Sequence, residues 1–285
     1  MHQKFIDLYD DYAHGSLDRR EFLKKLAVLA GGTAAAVTLL PLIEKKYAQA
    51  QVVPEDDSRL HVENIKYPGE TGDVLAHFAR PKGDAKLPGV IVIHENRGLV
   101  PHIKDVARRA AIEGFIAIAP DALSPLGGTP EDVNEVRSLM RKLDSQATVK
   151  NYVAAVKYLK THPQSTGKVG CMGFCWGGGV TNQVAVNSPD LAAAVPFYGR
   201  QPAPEDVPKI KASMLLHYAG LDERINAGIE AFEAALKEAS IEYKLFMYEG
   251  AGHAFFNDTG SRYHKEAALL AWERTIAFLK EKLKT

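Results

Sequence analysis

Apolar and polar positions change period along this chain, and the changes mark the elements. "HVENIKY" (61–67) and "VLAHFA" (74–79) flank the turn-forming cluster "PGETGD" and read as an antiparallel hairpin. "GVIVIHE" (89–95) is an unbroken β-branched run, the pattern of a strand buried on both faces. A helix is predicted from about His102 to Glu113, followed by the strand "FIAIAPD" (115–121). "ALSPLGGTP" (122–130) is a loop by its proline and glycine content, and it leads into helical stretches up to Leu159. Next come the strand "KVGCMGF" (168–174), a helix through "VTNQVAVN" and the strand "AAAVPFY" (192–198). A Pro-rich loop, "GRQPAPEDVP", precedes the strand "ASMLLHY" (212–218) and a helix around 224–239. The strand "EYKLFMY" (242–248) and a helix from about Tyr263 to Lys282 complete the pattern. A hairpin followed by repeated strand–helix units, with no linker-like stretch from Arg59 to Thr285, predicts a single three-layer α/β domain with a mostly parallel sheet. Catalytic groups in such sheets sit on loops at the carboxyl ends of strands.

Residues 1–50 read differently from residues 51–285. Arg19 and Arg20, then Phe22, Leu23 and Lys24, precede an apolar run from Leu26 to Ile43 that Gly31, Gly32 and Pro41 soften. The run ends in the small-x-small site Ala48-Gln49-Ala50. This resembles a twin-arginine export signal, which implies passage through the twin-arginine machinery, removal of residues 1–50, a mature start near Gln51 and a periplasmic location. An amphipathic helix or membrane anchor on an uncleaved, cytoplasmic or membrane-bound chain is the alternative. The run is marginal for a permanent span, which needs about 20 solidly apolar residues.

Composition narrows the function. The chain has 285 residues, 46% apolar and 25% charged, and its 35 basic residues balance 35 acidic ones. Zero formal charge provides no field for nucleic acid or an anionic membrane, so recognition is expected in a pocket for a small molecule. Only Cys171 and Cys175 could form a disulfide, and one belongs inside a strand while the other stands on the turn after it. No zinc spacing is visible, and no metal or cofactor is implied; a monomer is expected.

Gly173-Phe174-Cys175-Trp176-Gly177 has the form G-x-C-x-G between a buried strand and a helix, the context of a nucleophile elbow. A thiol at that apex stands at a helix N-terminus, whose dipole and free N–H groups are expected to lower its pKa. Tight packing around an inert cysteine would give the same pentapeptide. A nucleophile needs a base, and the base an orienter. His217 lies within a strand and reads as a core residue, and His264 falls among charges and reads as solvated; His253, in "EGAGHAFF", follows a strand end. Asp222, in "HYAGLDERI", is the candidate acid, with a helix N-cap as its other reading and Glu223 and Asp258 as rivals. The oxyanion hole is expected from the amides of Trp176 and Asn96. Glu95 either meets the resting thiol, takes its proton, or is a solvated loop carboxylate.

At these residues the chain resembles the dienelactone hydrolase family of α/β-hydrolases, from about Val62 to Leu279. The likeness rests on "VIVIHENRGL" (90–99), "PDALSP" (120–125), "GFCWGG" (173–178), "PFYG" (196–199), "HYAGLDERI" (217–225) and "GAGHAFFND" (250–258). It implies the α/β-hydrolase fold, with Cys175 as nucleophile, His253 as base and Asp222 as its orienter. Glu95 would hold the resting cysteine and release it when substrate binds. The implied reaction is hydrolysis of an ester or lactone, the namesake being a dienelactone opened to maleylacetate (carboxymethylenebutenolidase activity). Proven members hold the substrate carboxylate with arginines, one shortly after the catalytic histidine. Asn257 stands there in this chain, leaving Arg262, Arg97 and Arg200, with Tyr198, as substrate-binding candidates. A broad exported carboxylesterase, or a non-catalytic binding protein with a redox-sensitive thiol, are the competing readings.

Overall fold

The structure, a computed structural model, describes residues 3–13, 17–48 and 52–284. Among these residues, eight strands form one sheet: β1 (Leu60–Gly69), β2 (Gly72–Pro81), β3 (Leu87–Ile93), β4 (Ile116–Pro120), β5 (Ser165–Phe174), β6 (Ala193–Phe197), β7 (Ser213–Ala219) and β8 (Tyr243–Tyr248). Their order is β1-β2-β4-β3-β5-β6-β7-β8. The β1-β2 hairpin pairs antiparallel, and β2 joins β4 antiparallel. From β4 to β8 every pairing is parallel, so all those carboxyl ends share one edge. This is an α/β-hydrolase fold.

The β-branched runs are buried on both faces, as their lack of alternation requires. Ile91, Ile93 and Cys171 pack on one side with α6 (Ser145–Thr161) and α7 (Trp176–Asn187). Val90, Val92 and Met172 pack on the other with α4 (Pro101–Ile112) and α10 (Lys265–Lys282). Each such side chain contributes about 1.5–3 kcal/mol when fully buried, far more than local propensity supplies. Cys171 is enclosed in the core and neither cysteine is in a disulfide.

Three details depart from the sequence expectation. The loop at 122–130 contains a short 3-10 turn, Ser124–Leu126, and the Pro-rich loop contains another, Pro204–Lys209. The helix around 224–239 is two helices, α8 (Glu223–Asn226) and α9 (Ile229–Glu238). Asn226 Nδ2 turns back to the Ala219 carbonyl at 2.8 Å, and Gln201 occupies the space a Cβ on Gly228 would need.

The first segment forms α1 (Gln3–Ala13), α2 (Arg19–Ala30) and α3 (Thr33–Ala48). Arg19 and Arg20 open α2, which Asp18 caps by accepting the Glu21 N–H. Tyr12 stacks on Phe22 at 4.4 Å inside a small cluster with Leu8, Leu17 and Leu26. That cluster leans on α5 (Val133–Met140) through Val133, and Arg19 pairs with Asp132 at 2.8 Å. Among the described residues no single helix is long and apolar enough to cross a membrane; Arg19–Ala30 and Thr33–Leu40 pass only together, across a 106° bend. Residues 49–51, which carry the expected cleavage point and mature start, lie outside the described residues. Beyond them, Asp105 accepts the Val52 and Val53 N–H groups, and Arg108 Nε donates to the Val53 carbonyl, so α4 holds the chain there.

The first turn of α7 packs against the ends of β3 and β6 with no room for a side chain at two positions. A Cβ on Gly177 would lie 2.4 Å from the His94 carbonyl oxygen and 2.6 Å from that of Ile93; on Gly178, 2.4 Å from that of Phe197. These obstacles are backbone atoms and cannot swing away. Gly179, one residue on, would meet nothing closer than 3.5 Å. Gly177→Ala is therefore expected to lose about 1–3 kcal/mol in urea denaturation despite alanine's better helix propensity. Gly179→Ala, with the same propensity gain and no clash, is expected to be neutral or slightly stabilising.

Candidate active site

Cys175 is held at φ 56° and ψ −114°, a region that an L-residue adopts only when its surroundings impose it. The sheet imposes it here. The Cys175 N–H donates to the Phe197 carbonyl at 3.1 Å, tying the turn to the end of β6 while α7 starts at the next residue. The thiol is thereby lifted off the sheet, and the Trp176 N–H donates to it. Tyr198 (φ 37°) and Ala254 (φ 67°), also non-glycine residues with positive φ, flank the same point. The Tyr198 ring meets that of His253 edge-on at 5.1 Å.

Asp222 follows β7 and uses its two oxygens differently. Oδ1 caps α8 by accepting the Ile225 N–H at 3.4 Å, and Oδ2 lies 2.5 Å from His253 Nδ1. The N-cap reading and the pairing with histidine therefore coexist. The Leu221 N–H donates to the Ala251 carbonyl at 3.0 Å, fastening the aspartate loop to the histidine loop. His253 Nε2 lies 3.0 Å from Cys175 Sγ. The rivals are engaged elsewhere. His217 is buried between Thr275 and Tyr248, His264 caps α10, and Asp258 pairs with His102 and Arg109.

Residues 74–283 match the model of the dienelactone hydrolase family, and residues 1–31 match one described as YqhI-like. The chain belongs to the dienelactone hydrolase family. A protein of Saccharolobus solfataricus named as a candidate carboxymethylenebutenolidase is 35% identical over 254 residues, covering 76% of this chain and 97% of its own. A likewise named protein of Methylorubrum extorquens is 31% identical over 283 residues, or 94% of each chain. Among solved structures, a candidate dienelactone hydrolase of Klebsiella pneumoniae superposes with a TM-score of 0.71 at 28% identity, covering 78% of this chain and 99% of that one.

The electrostatics of this family member correct the sequence expectation for the thiol. Burial pushes the Cys175 thiol up to about 12, and the nearby Glu95 charge adds to the rise. The Trp176 N–H and Arg224 act the other way and are outweighed. Burial also opposes ionisation of Asp222, but the His253 hydrogen bond and charge and the Ile225 N–H hold its carboxyl below the ordinary range. Glu95 is no solvated loop carboxylate. It is 1% exposed, and its Oε2 accepts from Asn257 Nδ2 at 2.7 Å. In this conformation the thiol's side-chain partner is His253 rather than Glu95, because Asn257 anchors the carboxylate. Asn257 thus holds Glu95 from 162 positions away, a contact the sequence spacing did not signal.

A cleft of about 710 Å³ opens over Cys175 and His253. Met140, Leu143, Val149, Val180 and Ile225 form apolar wall, and Asn96, Trp176, Tyr198 and Arg200 line it as well. Two arginine expectations are corrected. Arg97 is 8% exposed and faces a separate cavity of about 580 Å³ beside α4, and Arg262 lies by Asp11, at 3.9 Å, outside the cleft. The second cation of the cleft is Arg224, which the sequence reading passed over because it sits two residues past Asp222 at the start of a helix. Among the described residues no cluster of three or more His, Cys, Asp or Glu is placed to hold a metal ion.

Glu95 raises the thiol pKa by like-charge repulsion, so removing its charge lowers that pKa and increases the thiolate fraction at any pH below it. Glu95→Gln is therefore expected to speed iodoacetamide alkylation of Cys175 at pH 8 by roughly three- to tenfold. A rate–pH profile that does not move toward lower pH would contradict this.

Proposed function

We propose that this hydrolase cleaves small esters or lactones through a thioester on Cys175, with His253 as base and Asp222 as its orienter. The observation that carries the reading is the unbroken chain Asp222 Oδ2, His253, Cys175 Sγ, with separations of 2.5 and 3.0 Å, on three strand-end loops beneath the cleft. Family membership and the carboxymethylenebutenolidase names of its relatives support a carboxylic ester or lactone as substrate.

The thiol rests protonated, so attack and proton removal are coupled. His253 Nε2 takes the thiol proton as sulfur bonds to the carbonyl carbon, and the carbonyl π pair moves to oxygen. The amides of Trp176 and Asn96 receive that oxyanion. The pair then returns, the C–O bond breaks, and His253 protonates the departing oxygen. In a lactone that oxygen stays tethered to the acyl group, so its protonation must outpace reclosure. His253 next deprotonates a water, which attacks the thioester; thiolate leaves and is reprotonated. Asp222 holds Nδ1 protonated and stabilises the imidazolium at each transfer.

Arg200 and Arg224 lie at the cleft, and neither is in an ion pair among the described residues, which favours substrates bearing an anionic group. The paired arginines at 19–20 and the apolar run after them support export of the chain by the twin-arginine route to the periplasm. The raised thiol pKa weighs against a redox-sensing cysteine, which needs a standing thiolate.

Acid-quenched mass spectrometry of protein recovered from its native host, after exposure to a panel of esters and lactones, tests both parts. An acyl adduct on Cys175 that forms and decays is expected, with kcat reduced about 10³-fold or more in Cys175→Ala and in His253→Ala. Turnover that survives Cys175→Ala would refute the thioester. The same spectra read the N-terminus: loss of residues 1–50 supports export, and full-length mass refutes cleavage. Arg200→Ala and Arg224→Ala are each expected to raise KM roughly tenfold for a carboxylate-bearing ester while leaving a neutral ester unchanged. Equal effects on both esters would remove the anion-binding role.

A further inference from the structure

One fully buried side chain beside the site has no part in the steps above. His94 directly follows β3, and its Nε2 accepts the Ala122 N–H at 3.1 Å. The proton of the neutral ring therefore lies on Nδ1, which donates to the Glu95 carbonyl at 2.5 Å. Burial drives its pKa down and keeps it neutral, so Nε2 stays an acceptor. The ring also stacks on the Trp176 indole, with centroids 5.3 Å apart and planes 16° from parallel. A single imidazole thus touches the loop after β3, the loop after β4 and the first residue of α7.

The two amides assigned to the oxyanion hole belong to two of those segments. Trp176 opens α7, and the Asn96 N–H completes the peptide whose carbonyl, that of Glu95, is the one His94 holds. The far end of the same loop is braced separately. The Leu99 N–H donates to Thr129 Oγ1 at 2.8 Å, and the Thr129 hydroxyl donates to Asp121 Oδ1 at 2.8 Å. A Cβ on Gly98 would strike Thr129, so the loop is packed down there. At the near end, among the hydrogen bonds described, His94 is what grips the Glu95–Asn96 peptide from the side of α7.

We infer that His94 is a positioning residue of the oxyanion hole: its hydrogen bond orients the Glu95–Asn96 peptide, its stacking orients Trp176, and Ala122 anchors it between them. The inference rests on the thioester reading. An oxyanion donor acts only when its N–H is already aimed where negative charge develops, so a tilt of the peptide weakens the transition state more than the bound substrate. The thiol is held chiefly by the turn and by His253, and the Trp176 N–H that reaches it is fixed by the start of α7 as well as by the stacking, so His94 bears on the thiol only weakly.

Three variants of the full chain separate the contacts. His94→Phe keeps a ring for Trp176 and loses both hydrogen bonds; His94→Asn places a donor near the Glu95 carbonyl; His94→Gln places an acceptor near Ala122. Each is assayed with p-nitrophenyl acetate, with a trifluoromethyl ketone that adds to the thiol to form an oxyanion, and with iodoacetamide, whose reaction forms none. His94→Phe is expected to lower kcat about 10- to 100-fold with KM within about threefold, and to weaken the ketone by a similar factor. Its iodoacetamide rate is expected to stay within about twofold of the unaltered chain. Asn is expected to recover more of kcat than Gln, since it restores the grip on the peptide that carries a donor. If His94→Phe does not fold, the Asn and Gln variants carry the same comparison of ketone against iodoacetamide.

Equal losses with all three reagents would overturn the inference in favour of a general packing role, and unchanged kcat and ketone affinity would overturn it outright. Failure of the underlying reading is distinguishable. In that case the unaltered chain itself forms no acyl adduct on Cys175, which removes the inference together with the thioester.

Discussion

The first turn of α7 approaches the ends of β3 and β6 so closely that no side chain fits at Gly177 or Gly178, and the geometry of the site follows from that approach. The carbonyls of Ile93, His94 and Phe197 bear directly on the helix, so the chain must leave β5 and enter α7 without an intervening loop. Only a residue with positive φ makes that reversal, and Cys175 occupies the position. The same contact sets Trp176 against His94 and leaves its N–H directed at the thiol. Backbone strain of this kind costs on the order of 1–3 kcal/mol, which the two apolar layers that enclose the sheet readily offset.

Two opposing forces act on the thiol, and their sizes decide its state. A helix N-terminus favours an anion by about 0.3–1 kcal/mol, up to about 2 in a partly buried site. Removing a charge from water costs several kcal/mol, and the buried Glu95 adds like-charge repulsion. Burial outweighs the helix end, so the sulfur in contact with His253 is shifted toward the protonated thiol. In the mechanism proposed above, the nucleophile is therefore generated by proton transfer across this 3.0 Å contact as the carbonyl is attacked. A protonated sulfur is also a poor target for oxidants.

The cleft shares its walls with parts of the molecule remote in sequence. Helix α5 meets the N-terminal cluster through Val133, and Met140 at its other end lines the cleft over Cys175. Asn96 lines both this cleft and the cavity beside α4 into which Arg97 turns. Adjacent residues on one loop thus face different spaces, so closeness in sequence to the thiol loop does not put a side chain in the cleft.

Local order was legible in the sequence because it is written in local signals. Unbroken β-branched runs marked strands buried on both faces, and Gly173, Cys175 and Gly177 marked a turn too tight for side chains on either flank. Asp222 and His253 were visible because each follows a strand, and parallel strands bring their carboxyl ends to one edge. Tertiary structure alone decided what depends on long-range packing. It put Asn257 against Glu95 across 162 positions, Arg224 into the cleft, Arg97 and Arg262 outside it, and His94 between Ala122 and Trp176. It also reversed the expected acidity of Cys175, because a helix end is a local feature, whereas desolvation is set by everything folded around it.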